Sequence, residues 1–364
     1  MKKLITQTVL ATAVAGFAVN AASAEDWVVV SWGGAYTASQ QNAYHEPWMK
    51  MHPDINIIND DSGSGALAKL RAMVEAGNVT WDLVDVVASD AIVACDEGLA
   101  VEIDHDNDLL PAPDGTPASQ DFGDLIVSPC FIPQIVYSTT FGYRTDLVGD
   151  TPPTTINDVF DLEKYPGKRS LEKRPVNNLE WALIADGVAP EEVYEVLETD
   201  EGVERALAKL DTIKDHVVWW EKGAQTPQLL ADGEVIMGST YNGRLFSVIE
   251  EEKQPVAMLW DWQVFDLDGW IVPVGSPHEA EVMEYLKFAT DTQRLADQAK
   301  YISYGPARKS SAPMVGKHAE LGIDMAPHMP TSPDNAKNTL LYNFEFWADN
   351  IDDLTEKFQA WLAQ

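Results

Sequence analysis

The pattern of apolar and polar positions in the first hundred residues alternates between strand-like and helix-like segments. Short apolar runs are each followed by a stretch in which apolar residues recur every three or four positions. This alternation predicts a parallel sheet with right-handed crossover connections. Strands are predicted at 27–32, 55–58 and 82–87, and helices at 37–51, at 66–76 and from Ala88-Ser89-Asp90 onwards.

The same alternation continues after a Pro/Thr loop at 151–155, which is typical of a crossover into a second domain. Residues 104–121 are rich in Asp, Pro and Gly and are expected to form a surface loop. Further strands are predicted at 131–143, 217–220, 234–239, 257–260 and 270–273, and further helices at 156–161, 178–186, 190–197, 201–214, 225–232, 278–290, 292–300 and 347–363.

The first 24 residues have the composition of a secretory signal. Lys2 and Lys3 precede an uncharged Ala- and Val-rich stretch that ends in the small residues Ala22-Ser23-Ala24. The stretch is short and an acidic pair follows it, which argues against a retained membrane anchor. Cleavage after Ala24 would place a mature chain of 340 residues (364 minus 24) in a bacterial periplasm. That compartment lacks the ATP and NADPH that kinases, synthetases and nicotinamide enzymes require.

The chain is strongly acidic, with a formal net charge of −33 that becomes −35 when Lys2 and Lys3 leave with the signal. This charge argues against DNA, RNA and anionic lipid as partners, because all of them need a basic face. It either keeps the protein soluble in a salty medium or attracts cations, and its spread along the whole chain favours the first interpretation. After Ala24 no apolar run approaches the ~20 residues of a membrane span. The length suits two domains.

The chain has two cysteines, Cys95 and Cys130. In an oxidising compartment an isolated pair predicts a disulfide. The bond would close a loop of 35 residues (130 minus 95) and contribute about 3 kcal/mol to stability. No histidine flanks either cysteine and the seven histidines show no HxH or HxxH spacing, which argues against a metal site and against a catalytic cysteine.

Aromatic and polar residues cluster at the predicted carboxyl ends of strands, where open α/β sheets place their ligands. Aromatic rings mixed with carboxylates and one or two arginines suit a small amine or amino acid, because ring faces and carboxylates both attract ammonium groups. The sequence contains no GxSxG elbow, HExxH pair or Walker loop. The clusters are Ser31–Tyr36, Ser62–Ser64, Ala88–Asp90, Thr240–Arg244, Asp266–Trp270 and Tyr304–Pro306.

The ordered set of segments resembles the periplasmic solute-binding proteins of ABC importers, in the polyamine (spermidine/putrescine)-type branch that also includes receptors for GABA-like amino acids. The segments are VVSWGGAYTASQ (29–40), NVTWDLVDVVASDAIVACDEGL (78–99), WWEKGAQTPQLLADGEVIMGSTYNGR (219–244) and YISYGPARKSSAP (301–313). The resemblance implies a two-lobe α/β fold of type II-like topology, each lobe a mostly parallel sheet flanked by helices, with a hinge of crossing strands. It assigns 1–24 to a signal peptide, 26–135 plus 265–312 to lobe 1, and 136–264 plus 313–364 to lobe 2.

The resemblance also implies a monomeric receptor that uses no cofactor, catalyses no reaction and delivers a small amine-containing solute to an inner-membrane ABC permease. Asp268 matches the carboxylate that grips an ammonium group. Polyamine receptors have acidic residues near 174 and 177, where this chain has Lys173, Arg174 and Asn177. Taken together, the clusters at the strand ends and the resemblance predict these ligand-binding residues: Trp32, Gly34, Tyr36, Ser62, Ser89, Asp90, Asn177, Tyr241, Arg244, Asp268, Trp270 and Tyr304.

An arginine and an aspartate at opposite ends of a cleft suit a zwitterion, with its carboxylate on Arg244 and its amine on Asp268. A GABA-like ω-amino acid fits this arrangement. The alternative roles are a structural salt bridge for Arg244, a core position for Trp32, and a solvated turn before Gly269 for Asp268.

The alternative solutes are putrescine and spermidine. Outside this class of receptor, the remaining alternatives are a periplasmic hydrolase that uses Asp85, Asp90 or Asp268, and calcium binding by the Asp-rich stretch at 104–124. The sequence does not decide whether Arg174 and Arg244 face the cleft.

Overall fold

A computed structural model describes residues 24–364, so the signal predicted over 1–24 lies outside the described residues except for Ala24. Within that range the chain forms ten strands: β1 (Glu25–Val30), β2 (Ile55–Asp60), β3 (Leu83–Val87), β4 (Ile132–Arg144), β5 (Arg169–Glu172), β6 (Val217–Trp220), β7 (Met237–Tyr241), β8 (Val256–Ile271), β9 (Gly305–Pro306) and β10 (Thr339–Leu341). They form one sheet in the order β2-β1-β3-β8-β4-β7-β5-β6, with β10 beside β8 and β9 beside β4.

The sheet has a parallel part at each end. At one end β1 pairs in parallel with β2 and β3, and at the other β5 pairs in parallel with β6 and β7. The central pairings are antiparallel, since β8 runs against β3 and β4, and β4 runs against β7, while the short strand β10 pairs in parallel with β8. The prediction of two mostly parallel α/β halves is therefore confirmed, and β4 and β8 join them.

β4 and β8 cross from one half to the other. Their pairing extends from Ile132 opposite Trp270 to Arg144 opposite Val256. The prediction of two separate strands at 257–260 and 270–273 was wrong, because one strand of 16 residues covers both. Polar residues in the middle of β8 interrupt the apolar run, and the pairing to β4 shifts register there, between Val264 opposite Thr139 and Leu259 opposite Phe141.

The helices agree with the predicted ones in most positions. The helix expected at 37–51 contains a π-helical turn at Gln41–His45, and the loop expected at 104–121 contains two short helices. Within residues 24–364 the α-helices are α1 (Gly34–Gln40), α2 (Glu46–Met51), α3 (Ala66–Glu75), α4 (Ala88–Asp96), α5 (His105–Asp108), α6 (Ala118–Phe122), α7 (Ile156–Phe160), α8 (Asn178–Ala185), α9 (Val193–Leu197), α10 (Asp200–Asp211), α11 (Gln225–Ala231), α12 (Asn242–Phe246), α13 (Glu279–Ala289), α14 (Thr292–Gln298) and α15 (Phe344–Leu362).

Separate apolar cores form on the two halves. One core includes Trp27, Tyr44 and Trp270, and another includes Trp181 and Trp347. Burial of such large side chains is the main stabilising contribution in each half. The exact lobe boundaries given by the resemblance stay a prediction.

The predicted disulfide between Cys95 and Cys130 is confirmed, with Cα atoms 5.6 Å apart. It joins α4 to the residues just before β4 and so fixes a helix beside a strand that crosses between the halves. In the part of the chain that the structure describes, none of the helices combines the length and the apolar character needed to cross a bilayer.

Candidate ligand-binding site

Four tyrosines from four different segments meet where the two halves of the sheet join. Tyr36 lies on α1, Tyr137 on β4, Tyr241 at the end of β7, and Tyr304 just before β9. The Tyr304 ring centre is 5.8 Å from that of Tyr36 and 6.0 Å from that of Tyr137, and Tyr137 meets Tyr241 edge to face at 5.5 Å. These residues, called the tyrosine cluster below, offer ring surfaces that suit an organic cation.

Asp268 lies beside the tyrosine cluster and is only 7% exposed. Its Oδ1 atom is buried and has no hydrogen-bond partner among residues 24–364. Burial raises the pKa of Asp268 well above the usual aspartate range, and the carboxylates of Asp85, Asp266 and Asp90 raise it further. A buried carboxyl group without a partner costs free energy, which a bound cation would recover.

Asp85 on β3 holds two of the aromatic residues in place. Its Oδ1 accepts a hydrogen bond from Trp32 Nε1 at 2.9 Å. Its Oδ2 accepts hydrogen bonds from the Tyr36 hydroxyl at 2.9 Å and from Gln40 Nε2 at 2.6 Å. Burial raises the pKa of Asp85 to about 7, although these hydrogen bonds lower it. Because donors of the protein engage both oxygens, Asp85 orients the two rings.

Asp266 and Asp90 make this side of the cleft strongly acidic. The Tyr137 hydroxyl donates to Asp266 Oδ2 at 2.6 Å, and burial raises the pKa of Asp266 to about 6 despite that bond. Burial also raises the pKa of Asp90, while Arg174 lowers it. Within residues 24–364 no group of three or more His, Cys, Asp and Glu side chains is arranged to hold a metal ion.

Arg244 faces the acidic side from α12. Its guanidinium lies over the Tyr241 ring, 5.9 Å from the ring centre, and its Nη2 approaches the Trp32 carbonyl oxygen at 3.5 Å. Its Nε is buried and has no hydrogen-bond partner in the described part of the chain. The charge of Arg244 lowers the pKa of Asp268, so the two groups act on each other without a hydrogen bond between them.

Gly34 allows Arg244 to come this close to the first helix. Gly34 has a φ of 60°, and a Cβ atom built on it would lie 3.3 Å from Arg244 Nη1. A larger residue would therefore be strained at this position and would press on the guanidinium.

Arg174 also faces the cleft, where it forms an ion pair with Glu172. Arg174 Nε lies 2.7 Å from Glu172 Oε2, and 35% of the arginine side chain but only 15% of the glutamate side chain is exposed. Burial lowers the pKa of Arg174, but Glu172, Tyr241 and Tyr137 outweigh it and the pKa is raised well above its usual value.

Three further polar residues were predicted as ligand contacts. Ser62 Oγ and Asn177 Oδ1 are buried and lack hydrogen-bond partners within residues 24–364. Asn177 also adopts a positive φ of 67°, an uncommon conformation for a residue other than glycine. Ser89 is buried at the start of α4. Their ligand contacts stay a prediction.

Two predictions about β8 are corrected by the structure. Trp270 does not line the cleft, because its side chain is 0% exposed and packs against Tyr44 and Tyr285 in the core. Asp268 does not lie in a loop, because it pairs within β8 opposite Ile135. A strand fixes a side chain more firmly than a solvated turn does, which gives Asp268 a defined direction.

Sequence analysis missed Tyr137 and Glu172 as residues of the site. Tyr137 lies in a strand-like run of mixed apolar residues, and nothing in that pattern separates a cleft tyrosine from a core tyrosine. Glu172 ends the short strand β5, and no apolar run in the sequence predicts that strand. The one available signal was the nearby Arg174, which stands where polyamine receptors have an acidic residue.

The sequence matches known solute receptors. A family model described as bacterial extracellular solute-binding protein matches residues 43–331. A gamma-aminobutyric acid-binding protein of Pseudomonas aeruginosa is 35% identical over 343 residues, which is 94% of this chain and 92% of that protein.

Solved structures of solute receptors are similar in fold. The PBP MotA from A. tumefaciens B6 in complex with glucopine has a TM-score of 0.81 and 29% identity, covering 93% of this chain and 100% of that chain. A GABA receptor has a TM-score of 0.78 and 31% identity, covering 93% and 98%. A spermidine/putrescine substrate-binding protein from Streptococcus pneumoniae, at 15% identity, a TM-score of 0.65 and coverage of 93% and 100%, shares the fold alone.

Proposed function

The chain belongs to the bacterial extracellular solute-binding proteins, and we propose that it binds one small zwitterionic amino acid of the GABA type between its lobes. The observation that carries this proposal is a pair of unsatisfied groups. Asp268 Oδ1, an acceptor, and Arg244 Nε, a donor, are both buried and both lack partners among the described residues. A solute with one ammonium and one carboxylate group would satisfy both.

The ammonium end of the solute binds against Asp268 and the tyrosine cluster. The surroundings of Asp268 favour a cation, since three further carboxyl groups act on it. The rings of Tyr36, Tyr137 and Tyr304 add apolar contact and the attraction of aromatic faces for a cation. Asp85 keeps Trp32 and Tyr36 oriented before the solute arrives.

The carboxylate end binds the arginines on the other side of the cleft. The planar guanidinium of Arg244 can receive a carboxylate through two parallel hydrogen bonds. The exposed part of Arg174 lies in the same cleft and adds positive charge. Because Asp268 and Arg244 lie on opposite sides of the cleft, they select a solute whose amine and carboxylate are at opposite ends of a short chain.

The wider role follows from the family. The protein acts in the periplasm as a monomeric receptor, closes its lobes around the solute and delivers it to an inner-membrane ABC permease without chemical change. The similarity to a gamma-aminobutyric acid-binding protein and to a GABA receptor supports the choice of solute.

Isothermal titration calorimetry of the mature protein with matched ligands tests this proposal. GABA carries both charges, butylamine only the ammonium, butyrate only the carboxylate, and putrescine two ammonium groups. GABA is expected to bind at least tenfold more tightly than each of the other three, because only GABA satisfies both unpartnered groups.

Tighter binding of putrescine than of GABA would refute the proposal of a zwitterionic solute. It would favour a polyamine, whose ammonium groups the four carboxyl groups around the cleft would attract. Equal binding of butylamine and GABA would show that Arg244 does not contact the solute. Turnover of GABA during the titration would point to an enzyme instead of a receptor.

A further inference from the structure

The cleft contains a second acidic residue that a neighbouring arginine neutralises. We propose that Arg174 determines specificity by masking Glu172, and that replacing Arg174 with a neutral residue converts the cleft into a receptor for a linear diamine. This inference rests on the proposed function, because it assumes that Asp268 receives one ammonium group of the solute.

The masking is direct. Glu172 ends β5 and Arg174 follows two residues later, so both side chains leave the carboxyl end of a strand at the cleft. Their ion pair brings Arg174 Nε and Glu172 Oε2, both buried, to 2.7 Å without the geometry of a hydrogen bond. The exposed third of the arginine side chain therefore belongs to its other atoms, which a solute can reach.

The strand order β8-β4-β7-β5 places the strands of Tyr137 and Tyr241, β4 and β7, between the strand of Asp268 and the strand of Glu172. Burial raises the pKa of Tyr241, and Glu172 raises it further. Burial likewise raises the pKa of Tyr137, with further contributions from Asp266 and Asp268. The two rings meet edge to face at 5.5 Å. The cleft therefore has the carboxyl group of Asp268 on the side of Tyr137 and that of Glu172 on the side of Tyr241. The positive charge of Arg174 neutralises Glu172.

Putrescine and GABA differ at one end only. Each is a four-carbon chain with an amine at one end, and the carboxylate carbon of GABA is replaced in putrescine by an aminomethylene carbon. Both therefore span a similar distance, and the charge at the far end decides which of them binds. With Arg174 balancing Glu172, the charge of Arg244 makes that end of the cleft positive, so it attracts a carboxylate.

Without Arg174, that end loses its excess positive charge, because the charge of Glu172 then balances that of Arg244. Glu172 would remain with its side chain only 15% exposed, and a buried carboxylate that has lost its partner is strongly unfavourable. An ammonium group in the space left by the guanidinium would restore the lost pairing. The same change removes positive charge from the carboxylate end of GABA, so the two affinities move in opposite directions.

The experiment compares calorimetric affinities for GABA and putrescine in the wild type and in Arg174→Gln, Arg174→Met and Glu172→Gln/Arg174→Gln. In the two single variants the putrescine affinity is expected to rise roughly tenfold or more and the GABA affinity to fall roughly tenfold. The double variant is expected to lose the gain in putrescine affinity, because the unmasked carboxylate is gone. Two single variants of different polarity are used because one of them could fail to fold.

Arg205→Gln is the matched control. Arg205 pairs with Asp186 at 2.6 Å on the surface of the same half, so this variant removes the same charge away from the cleft and is expected to leave both affinities unchanged. A folded single variant without a gain in putrescine affinity overturns the inference, and so does a double variant that keeps the gain. Failure of the wild type to bind GABA would instead refute the proposed function, so the two failures are distinguishable.

Discussion

Replacing Asp268 with asparagine removes a carboxyl group that can become negatively charged against a bound cation, and it leaves the shape of the side chain nearly unchanged. Asparagine keeps a carbonyl oxygen that can accept a hydrogen bond from an ammonium group, but it lacks the negative charge. The variant therefore isolates the charge of Asp268 from its volume.

The expected loss of affinity follows from the burial of the residue. Asp268 is 7% exposed, so solvent screens its interaction with a ligand only weakly. A hydrogen bond between charged groups contributes ~1.5–3 kcal/mol, which corresponds to a loss of roughly 10- to 150-fold in the affinity for GABA.

The stability of the free protein is expected to change in the opposite direction. Burial and the neighbouring carboxylates raise the pKa of Asp268 in the folded state, so the folded chain retains a proton that the unfolded chain has lost. The free energy of unfolding therefore falls as the pH rises from about 4 through the raised pKa. An asparagine side chain cannot titrate, so the Asp268→Asn variant escapes this loss and unfolds at a higher temperature than the wild type at neutral pH.

Calorimetric titration with GABA and thermal unfolding of the ligand-free protein give the two measurements. Asp324→Asn is the control, because Asp324 is 73% exposed and its loss is expected to change neither value. An Asp268→Asn variant that binds GABA as tightly as the wild type, or whose ligand-free form is less stable, would refute the reasoning.

Three further predictions concern stability and the cleft. Gly34→Ala is expected to cost about 1 kcal/mol of stability and to weaken GABA binding by displacing Arg244. Gly115→Ala is the control: Gly115 has a φ of 89° and open space around it, so this variant should lower stability without weakening GABA binding. Equal GABA affinities of the two variants in calorimetry would contradict the role of Gly34. Replacing both half-cystines with alanine should lower the free energy of unfolding in denaturant by about 3 kcal/mol, and an unchanged value would contradict the stabilising role of the bond. Burial raises the pKa of Glu180 to about 7, so this residue should contribute on the order of 3 kcal/mol to the fall in stability between about pH 4.5 and pH 7. Glu180→Gln should make that fall smaller by this amount in denaturant titrations, and an identical pH profile would refute the prediction.

The sequence predicted the elements whose local pattern matches their environment. The runs at β1, β2, β3 and β6 are apolar, short and followed by turn or helix signals, and the structure has strands there. The resemblance to solute receptors supplied the long-range arrangement, which periodicity alone does not contain. The cysteine pair was predictable because the compartment limits what two cysteines can do.

Other elements were hidden because the site or a buried charge breaks the pattern. The strand β5 was missed since it begins at Arg169, a fully buried arginine that donates to the carbonyl oxygens of Val159, Tyr165 and Gly167. Because arginine is usually exposed in folded proteins, the hydrophobic pattern does not predict a strand that begins with a buried one. The strand β8 was divided because polar residues that face the cleft, such as Asp268, interrupt it, as is common at functional sites.

The ion pair between Glu172 and Arg174 could not be predicted from the sequence, for a different reason. Two oppositely charged residues separated by one position in a strand-like segment can turn to solvent or to each other, and the sequence does not distinguish these cases. Only the position of β5 between β6 and β7 shows that both residues reach the cleft.

A crystal structure of the mature protein with GABA tests the central claim most directly. The account predicts that the solute lies between the lobes, with its amine nitrogen about 2.7–2.9 Å from Asp268 Oδ1 and its carboxylate on the guanidinium of Arg244. A solute bound elsewhere, or bound in the reverse direction with its carboxylate toward Asp268, would contradict it.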